Sequence, residues 1–311
     1  MFSTMDKKTI FITGATGFVG QHLCSRLTKN FTIHNVSLRN RNIKHLNVGH
    51  LDVFINLIGK AHDQNNTATE QEFYYANVEL AKDIFSTFVN SSATLLVHIS
   101  SIAAVEELES MSPLLETTLC RPNSWYGKTK QAAEEWLLSQ ELPKGKKLII
   151  LRPPMIHGQG DKGNLLLLYK LISKGVPNFL GAFDNARSFI SIQNLCFLIE
   201  RILQQEERIS SGIYHIADDE PLSTNNIVKI IRDVTGIKTI NLPFPKFLLY
   251  GIAKIGDLLP IPLNTTRLNK MTGTLIVSNQ KIKSALGIEK LPLTAEEGLR
   301  LTIESFKQNK V

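Results

Sequence analysis

The stretch Gly14-Ala15-Thr16-Gly17-Phe18-Val19-Gly20 constrains the chain more than any other. It follows a short run rich in β-branched residues, Thr9-Ile10-Phe11-Ile12-Thr13, which reads as a buried strand. It opens a segment with apolar residues at Phe18, Val19, Leu23 and Leu27, the period of a helix. Strand, glycine turn and helix form the setting that a dinucleotide-binding fingerprint requires. Gly14 allows the tight turn, Gly17 lets backbone approach a pyrophosphate, and Gly20 lets the helix pack closely on the strand. Phosphates then meet free N–H groups at the helix N-terminus. Thr16, Phe18 and Val19 fall in the same turn and are expected cofactor contacts. A glycine turn that merely joins two elements has the same local pattern, so the rest of the chain must decide.

A chain of 311 residues with 43% apolar content can bury a large core, in two lobes. Cys24, Cys120 and Cys196 are scattered, which suits a reducing compartment and argues against a disulfide scaffold or a metal cluster. Met1 to Lys8 lacks an apolar core, so no secretory signal is expected and the expected location is cytoplasmic. The longest apolar run, Phe244 to Leu259, is interrupted by Lys246, Lys254 and Asp257. It reads as an amphipathic helix of a substrate lobe, in preference to a membrane-surface helix, and no integral membrane segment is expected. The formal net charge of +7 is spread out, without the aromatic interleaving of a nucleic-acid platform. An anionic small ligand is the more economical partner.

A second strand covers Phe31 to Leu38. An NAD-specific site usually offers an acid at its end, where the adenosine ribose is read. Here Ser37, Arg39 and Arg41 stand instead. Arg39 suits a 2′-phosphate, although solvated loop arginines are also common. A further buried strand, Leu51 to Gly59, brings Leu57 and Gly59 to the cofactor, with His62 either a substrate contact or an incidental loop residue. A long helix over Thr69 to Val89 has its apolar face interrupted by Asn77, a candidate cofactor contact. The strand Thr94 to Ile99 ends at Ser100-Ser101. Tyr126 and Lys130, leading into a helix over Gln131 to Gln140, are four apart and share one helix face. An ammonium beside a phenol favours the phenolate, which makes Tyr126 an acid/base candidate; Ser101 can bond the same substrate oxygen.

On these residues the chain resembles the extended short-chain dehydrogenase/reductases, in the sugar-nucleotide epimerase/dehydratase family. The resemblance rests on Gly14, Gly17 and Gly20, the strand to Gly59, Ser101, Tyr126 and Lys130. It continues through Leu151-Arg152-Pro153-Pro154, His157-Gly158-Gln159-Gly160 and Arg187-Ser188-Phe189-Ile190. It implies an α/β fold: a Rossmann doubly wound parallel sheet with a smaller C-terminal substrate lobe. Residues 1–155 and 187–217 would bind the cofactor, NADP or NAD, with Pro153 among the contacts. Residues 156–186 and 218–311 would hold a nucleoside-diphosphate sugar, with Asn164 and Arg187 at its diphosphate. No metal is expected, and a homodimer is possible. Family dehydratases carry Asp-Glu after the serine position; Ile102 and Ala103 stand here, so the pair that eliminates water is missing. Val105-Glu106 also replaces the family's Tyr-Gly downstream. The resemblance therefore implies chemistry at C4 of a UDP-sugar in bacterial surface-polysaccharide synthesis. The missing acid after the second strand tips the reading toward reduction of a UDP-4-keto-6-deoxy-N-acetylhexosamine. The alternatives are a UDP-glucose or UDP-N-acetylglucosamine 4-epimerase and, in another class, a non-catalytic NADPH-sensing regulator. An intact Ser101, Tyr126 and Lys130 speaks against the last.

Overall fold

A computed structural model of the chain describes residues 7–38, 50–61, 68–240, 242, 244–259 and 263–308. Arg39, Arg41 and His62 lie outside them. Strand β1 (Thr9–Thr13) runs through the glycine turn into α1 (Phe18–Leu27), and β2 (Thr32–Val36) and β3 (Val53–Asn56) follow. The long helix expected next is α2 (Glu70–Tyr74), one π-helical turn (Tyr75–Glu79) and α3 (Leu80–Val89). Then come β4 (Leu95–Ile99), α4 (Trp125–Leu138), β5 (Lys147–Arg152), β6 (Met155–His157) and α5 (Asn164–Ser173). The chain continues with β7 (Phe189–Ser191), α6 (Ile192–Gln204), β8 (Gly212–His215), α7 (Thr224–Thr235) and α8 (Lys246–Leu258). It closes with α9 (Thr265–Thr272), α10 (Gln280–Leu286) and α11 (Ala295–Gln308).

The main sheet is parallel, in the order β2-β1-β3-β4-β5-β8. Its inner strands are apolar on both faces because helices cover both, while the edge strand β2 is largely exposed. Ile10, Ile12, Val53, Ile55, Leu95 and Val97 point into one core, beneath α1, α6 and α10. Phe11, Phe54 and Leu96, the intervening residues, point into the other, beneath α3 and α4. That is the two-residue alternation of a strand. β2 and β3 lie on opposite sides of β1, so the order reverses there, and ligands of such sheets bind beyond the strand ends at that point. β6 and β7 form a separate two-stranded parallel sheet. A further core joins Phe189 to α5, α7 and α11, and a smaller one joins α8 and α9 to Leu180 and Phe183.

The expected helix over Gln131 to Gln140 begins six residues earlier, at Trp125. Ser124 caps it by accepting a bond from the Gly127 N–H at 3.1 Å. Gly127 disguises this start in the sequence, yet no larger residue fits: a Cβ there would lie 2.4 Å from the Ala103 carbonyl oxygen. β6, α9 and α10 are short, and periodicity alone does not announce them. The final helix opens with a capping box. Thr294 Oγ1 accepts from the Glu297 N–H at 3.2 Å, and the Glu297 carboxylate accepts from the Thr294 N–H at 2.8 Å.

Candidate active site

The site gathers at the C-terminal ends of β1, β3 and β4. Gly14 has φ of +76°, a left-handed conformation that favours glycine, and a Cβ there would lie 3.0 Å from the Leu57 backbone carbon. Gly20 is held by contact as well, since its Cβ would meet the Gly14 carbonyl oxygen at 2.4 Å. Gly17 is under less steric demand, with the Gly14 oxygen at 3.2 Å. It stands at the N-cap of α1, which receives no side-chain cap. The first-turn N–H groups therefore point outward, as an anion requires. Thr16 is exposed, and Phe18 and Val19 are half-buried along the same turn. These features fit the diphosphate of a dinucleotide.

Asn77 ties the next layer together. Its Oδ1 accepts from the Lys60 N–H at 2.8 Å, and its Nδ2 donates to Thr129 Oγ1 at 2.9 Å. It sits in the π turn of the long helix, a distortion that re-aims side chains. Gly59 lies against it: a Cβ there would meet Lys130 Nζ at 2.8 Å and Asn77 Oδ1 at 3.1 Å. Leu57 is half-buried beside Gly14. Pro153 is buried, and its carbonyl accepts from the Ile102 N–H at 2.9 Å, joining the end of β5 to the serine loop.

Lys130 is buried and donates to the Ile99 carbonyl at 2.9 Å. Burial pulls its pKa down to about 8, against the pull of Glu134 in the other direction. Tyr126 lies one helical turn before it and hydrogen-bonds with the Ser101 side chain. Burial pushes the phenol up, the bond with Ser101 pulls it back, and the Glu107 and Glu134 carboxylates add to the rise. The sequence reading put Lys130 in charge of the phenol. In the structure desolvation is the larger influence, and Ser101 is the group that opposes it. Ser101 Oγ also accepts from the Ala103 N–H at 3.2 Å, which fixes its rotamer.

Several groups of this site escape sequence reasoning. Strand register aligns Thr13, Asn56 and His98 on three adjacent strands. Thr13 Oγ1 bonds Asn56 Oδ1 at 2.9 Å, and Asn56 Nδ2 bonds His98 Nδ1 at 3.0 Å. Burial, with the charge of Lys130 behind it, holds His98 down to about 3, so the imidazole is neutral. Glu134 and Arg152 form a buried ion pair, with Arg152 Nε at 2.9 Å from Glu134 Oε1. A signal for Glu134 exists: it lies four residues beyond Lys130, on the same helix face.

The expected diphosphate ligands lie elsewhere around the site. Arg187 is desolvated and donates to the carbonyls of Leu108 at 2.7 Å, Glu107 at 3.1 Å and Gly273 at 3.1 Å. Desolvation lowers its pKa to about 10, which leaves it cationic at neutral pH. Asn164 is the exposed first residue of α5, whose N-cap, Gly163, makes no side-chain cap bond. Glu107 also anchors the start of α4, accepting from Ser124 N–H at 2.8 Å and Oγ at 2.7 Å and from Lys270 at 3.1 Å. Among the described residues no cluster of His, Cys, Asp or Glu could hold a metal ion.

The profile of the NAD dependent epimerase/dehydratase family matches residues 10–217. UDP-glucose 4-epimerase of Vibrio cholerae is 27% identical over 97% of this chain and 96% of its own. Among solved structures, UDP-glucuronic acid 4-epimerase of Bacillus cereus, in complex with NAD, superposes with a TM-score of 0.75 at 19% identity, covering 97% of this chain and all of that one. RMD of Pseudomonas aeruginosa, complexed with NADPH, superposes with a TM-score of 0.74 at 17% identity, covering 96% of this chain and all of that one.

Proposed function

The chain belongs to the NAD dependent epimerase/dehydratase family, and on that premise we propose that it reduces the C4 ketone of a UDP-linked 4-keto-6-deoxy-N-acetylhexosamine. It is an enzyme acting on sugar nucleotides with a nicotinamide dinucleotide. The observation that carries the choice is the end of β2, where Ser37, Leu38, Arg39, Asn40 and Arg41 follow without a carboxylate. An acid there would repel a 2′-phosphate; its absence admits NADPH.

A nicotinamide dinucleotide held at the Gly14–Gly20 turn would supply the hydride for C4 of the sugar. Tyr126 donates its phenolic proton to the C4 oxygen as the carbonyl is reduced. Ser101 bonds the same oxygen and orients it between the two hydroxyls. Lys130 faces the reacting end with a positive charge below about pH 8 and supports the phenolate that proton transfer leaves. Arg187 and Asn164 bind the diphosphate, which holds the hexose over Tyr126.

Redox-neutral 4-epimerisation is the second reading, favoured by the Vibrio cholerae relative. The two are separated by supplying the keto sugar with NADPH or NADH, and UDP-glucose or UDP-N-acetylglucosamine with NAD. Stoichiometric NADPH oxidation supports the reductase. Interconversion of gluco and galacto sugars without net cofactor consumption replaces it with the epimerase. Tyr126→Phe lowers turnover by on the order of 10²–10⁴ while cofactor and sugar still bind. Undiminished turnover in that variant removes Tyr126 from the mechanism.

A further inference from the structure

Helix α8 has two apolar faces. Its inner face carries Leu249 and Ala253, buried against Leu180, Phe183 and Leu268. Its outer face turns Phe247, Ile255 and Leu258 to solvent, with 74%, 53% and 87% of their surface exposed. At 3.6 residues per turn these three fall in one sector of about 80° around the helix, with Gly251 between them. A surface helix is ordinarily polar on the side away from its core, and a helix apolar all round is one that something covers. Ile240 and Leu242, whose backbones bond Asn178, are also exposed. Single exposed apolar side chains need no explanation, but a contiguous face does.

The surrounding charge identifies the covering. Lys238, Lys254 and Arg267 lie along α8, α9 and the chain before them, with Lys254 one residue before Ile255 and next to Phe247 around the helix. Asp257 is the single acid between Gly236 and Thr274. Its carboxylate is held by the Thr265 N–H at 3.0 Å and by the Thr265 hydroxyl. Protein–protein interfaces are depleted in lysine, whereas lysine stems beside an apolar strip let the ammonium reach phosphates as the strip sinks. The helix is about 20 Å long, at 1.5 Å per residue, and so is suited to lie along a bilayer rather than cross it. No helix among the described residues is long and apolar enough to cross a membrane. The chain's net charge of +7 adds attraction to anionic headgroups.

We propose that α8 docks the protein on an anionic phospholipid surface. Phe247, Ile255 and Leu258 enter the interfacial region, while Lys254 stays at headgroup level. The docking is independent of which C4 reaction the site performs.

The test is flotation of the full chain with phosphatidylcholine–phosphatidylglycerol vesicles and with phosphatidylcholine vesicles alone. The protein floats with the anionic vesicles. The combined variant Phe247→Ser, Ile255→Ser, Leu258→Ser lowers partitioning by on the order of a hundredfold, with melting temperature and NADPH binding unchanged. Lys254→Gln weakens it roughly fivefold, and only on anionic vesicles. Absence of flotation, or flotation that the triple variant retains, overturns the proposal. Self-association that the triple variant abolishes, without vesicle binding, overturns it too and assigns the face to a second copy.

Discussion

Arg152 and Arg187 are both desolvated, yet their surroundings are opposite. Arg152, at the end of β5, meets Glu134 in a buried ion pair and reaches Cys120 Sγ at 3.6 Å. Arg187, just before β7, donates to three backbone carbonyls. A carbonyl offers a dipole but no balancing charge. Arg152 therefore has its charge paired directly within the fold, whereas Arg187 is held by carbonyl dipoles, with the Glu106 carboxylate acting on it only at longer range. The first is a closed ion pair on the helix that carries Lys130 and Tyr126, and the second is the cation that the proposed function assigns to the diphosphate of the substrate.

The largest expected effect breaks the first region. Glu134→Gln leaves Arg152 buried without its counter-charge and costs about 3–5 kcal/mol of stability, read from denaturant unfolding. A loss below about 1 kcal/mol, the range of exposed pairs, would show that the pair is not what balances Arg152.

The next effect separates the regions. Arg187→Met weakens UDP-sugar binding by roughly 1.5–3 kcal/mol, the scale of a lost charge-assisted contact, and leaves NADPH binding in place. Calorimetric titration with each ligand reads the difference. Equal losses for both ligands would make Arg187 a structural residue, and the contrast with Arg152 would fail.

A smaller effect sharpens the account of the first region. Lys130 is held at about 8, below the ordinary lysine value, so it loses its charge as pH rises through that point. In the proposed mechanism its cationic form, present below about pH 8, favours the phenolate of Tyr126 once the sugar is bound. Lys130→Met removes that influence, so the pH–rate profile moves to higher pH and loses its inflection near 8. A profile that stays in place separates the lysine from the phenol. The same downward shift means that burying Lys130 costs stability below about pH 8. That cost fades as pH rises toward the unfolded value of about 10.4, and Lys130→Met removes it.

Much of the first region is legible in the sequence because its signals are local. The switch from strand to helix period across Gly14, Gly17 and Gly20 is read within one short stretch. Tyr126 and Lys130 share a helix face by spacing alone. Thr13, Asn56 and His98 were not legible, since each is an unremarkable polar residue until strand register aligns them. The π turn at Asn77 and the requirement for glycine at position 127 also depend on contacts between distant segments. The outer face of α8 shows the same limit. Its sequence is apolar with interspersed lysines, but only packing decides which side faces the lobe.

The central claim is a hydride delivered to the sugar at C4. Its most direct measurement uses NADPH carrying deuterium at the transferred position of the nicotinamide, with the UDP-4-keto-6-deoxy-N-acetylhexosamine as acceptor. Mass spectrometry and NMR of the product then read the label. The account predicts one deuterium, on C4, with one NADPH consumed for each sugar reduced. A product without deuterium at C4, or an unchanged keto sugar alongside cofactor-neutral interconversion of UDP-glucose or UDP-N-acetylglucosamine, would contradict it.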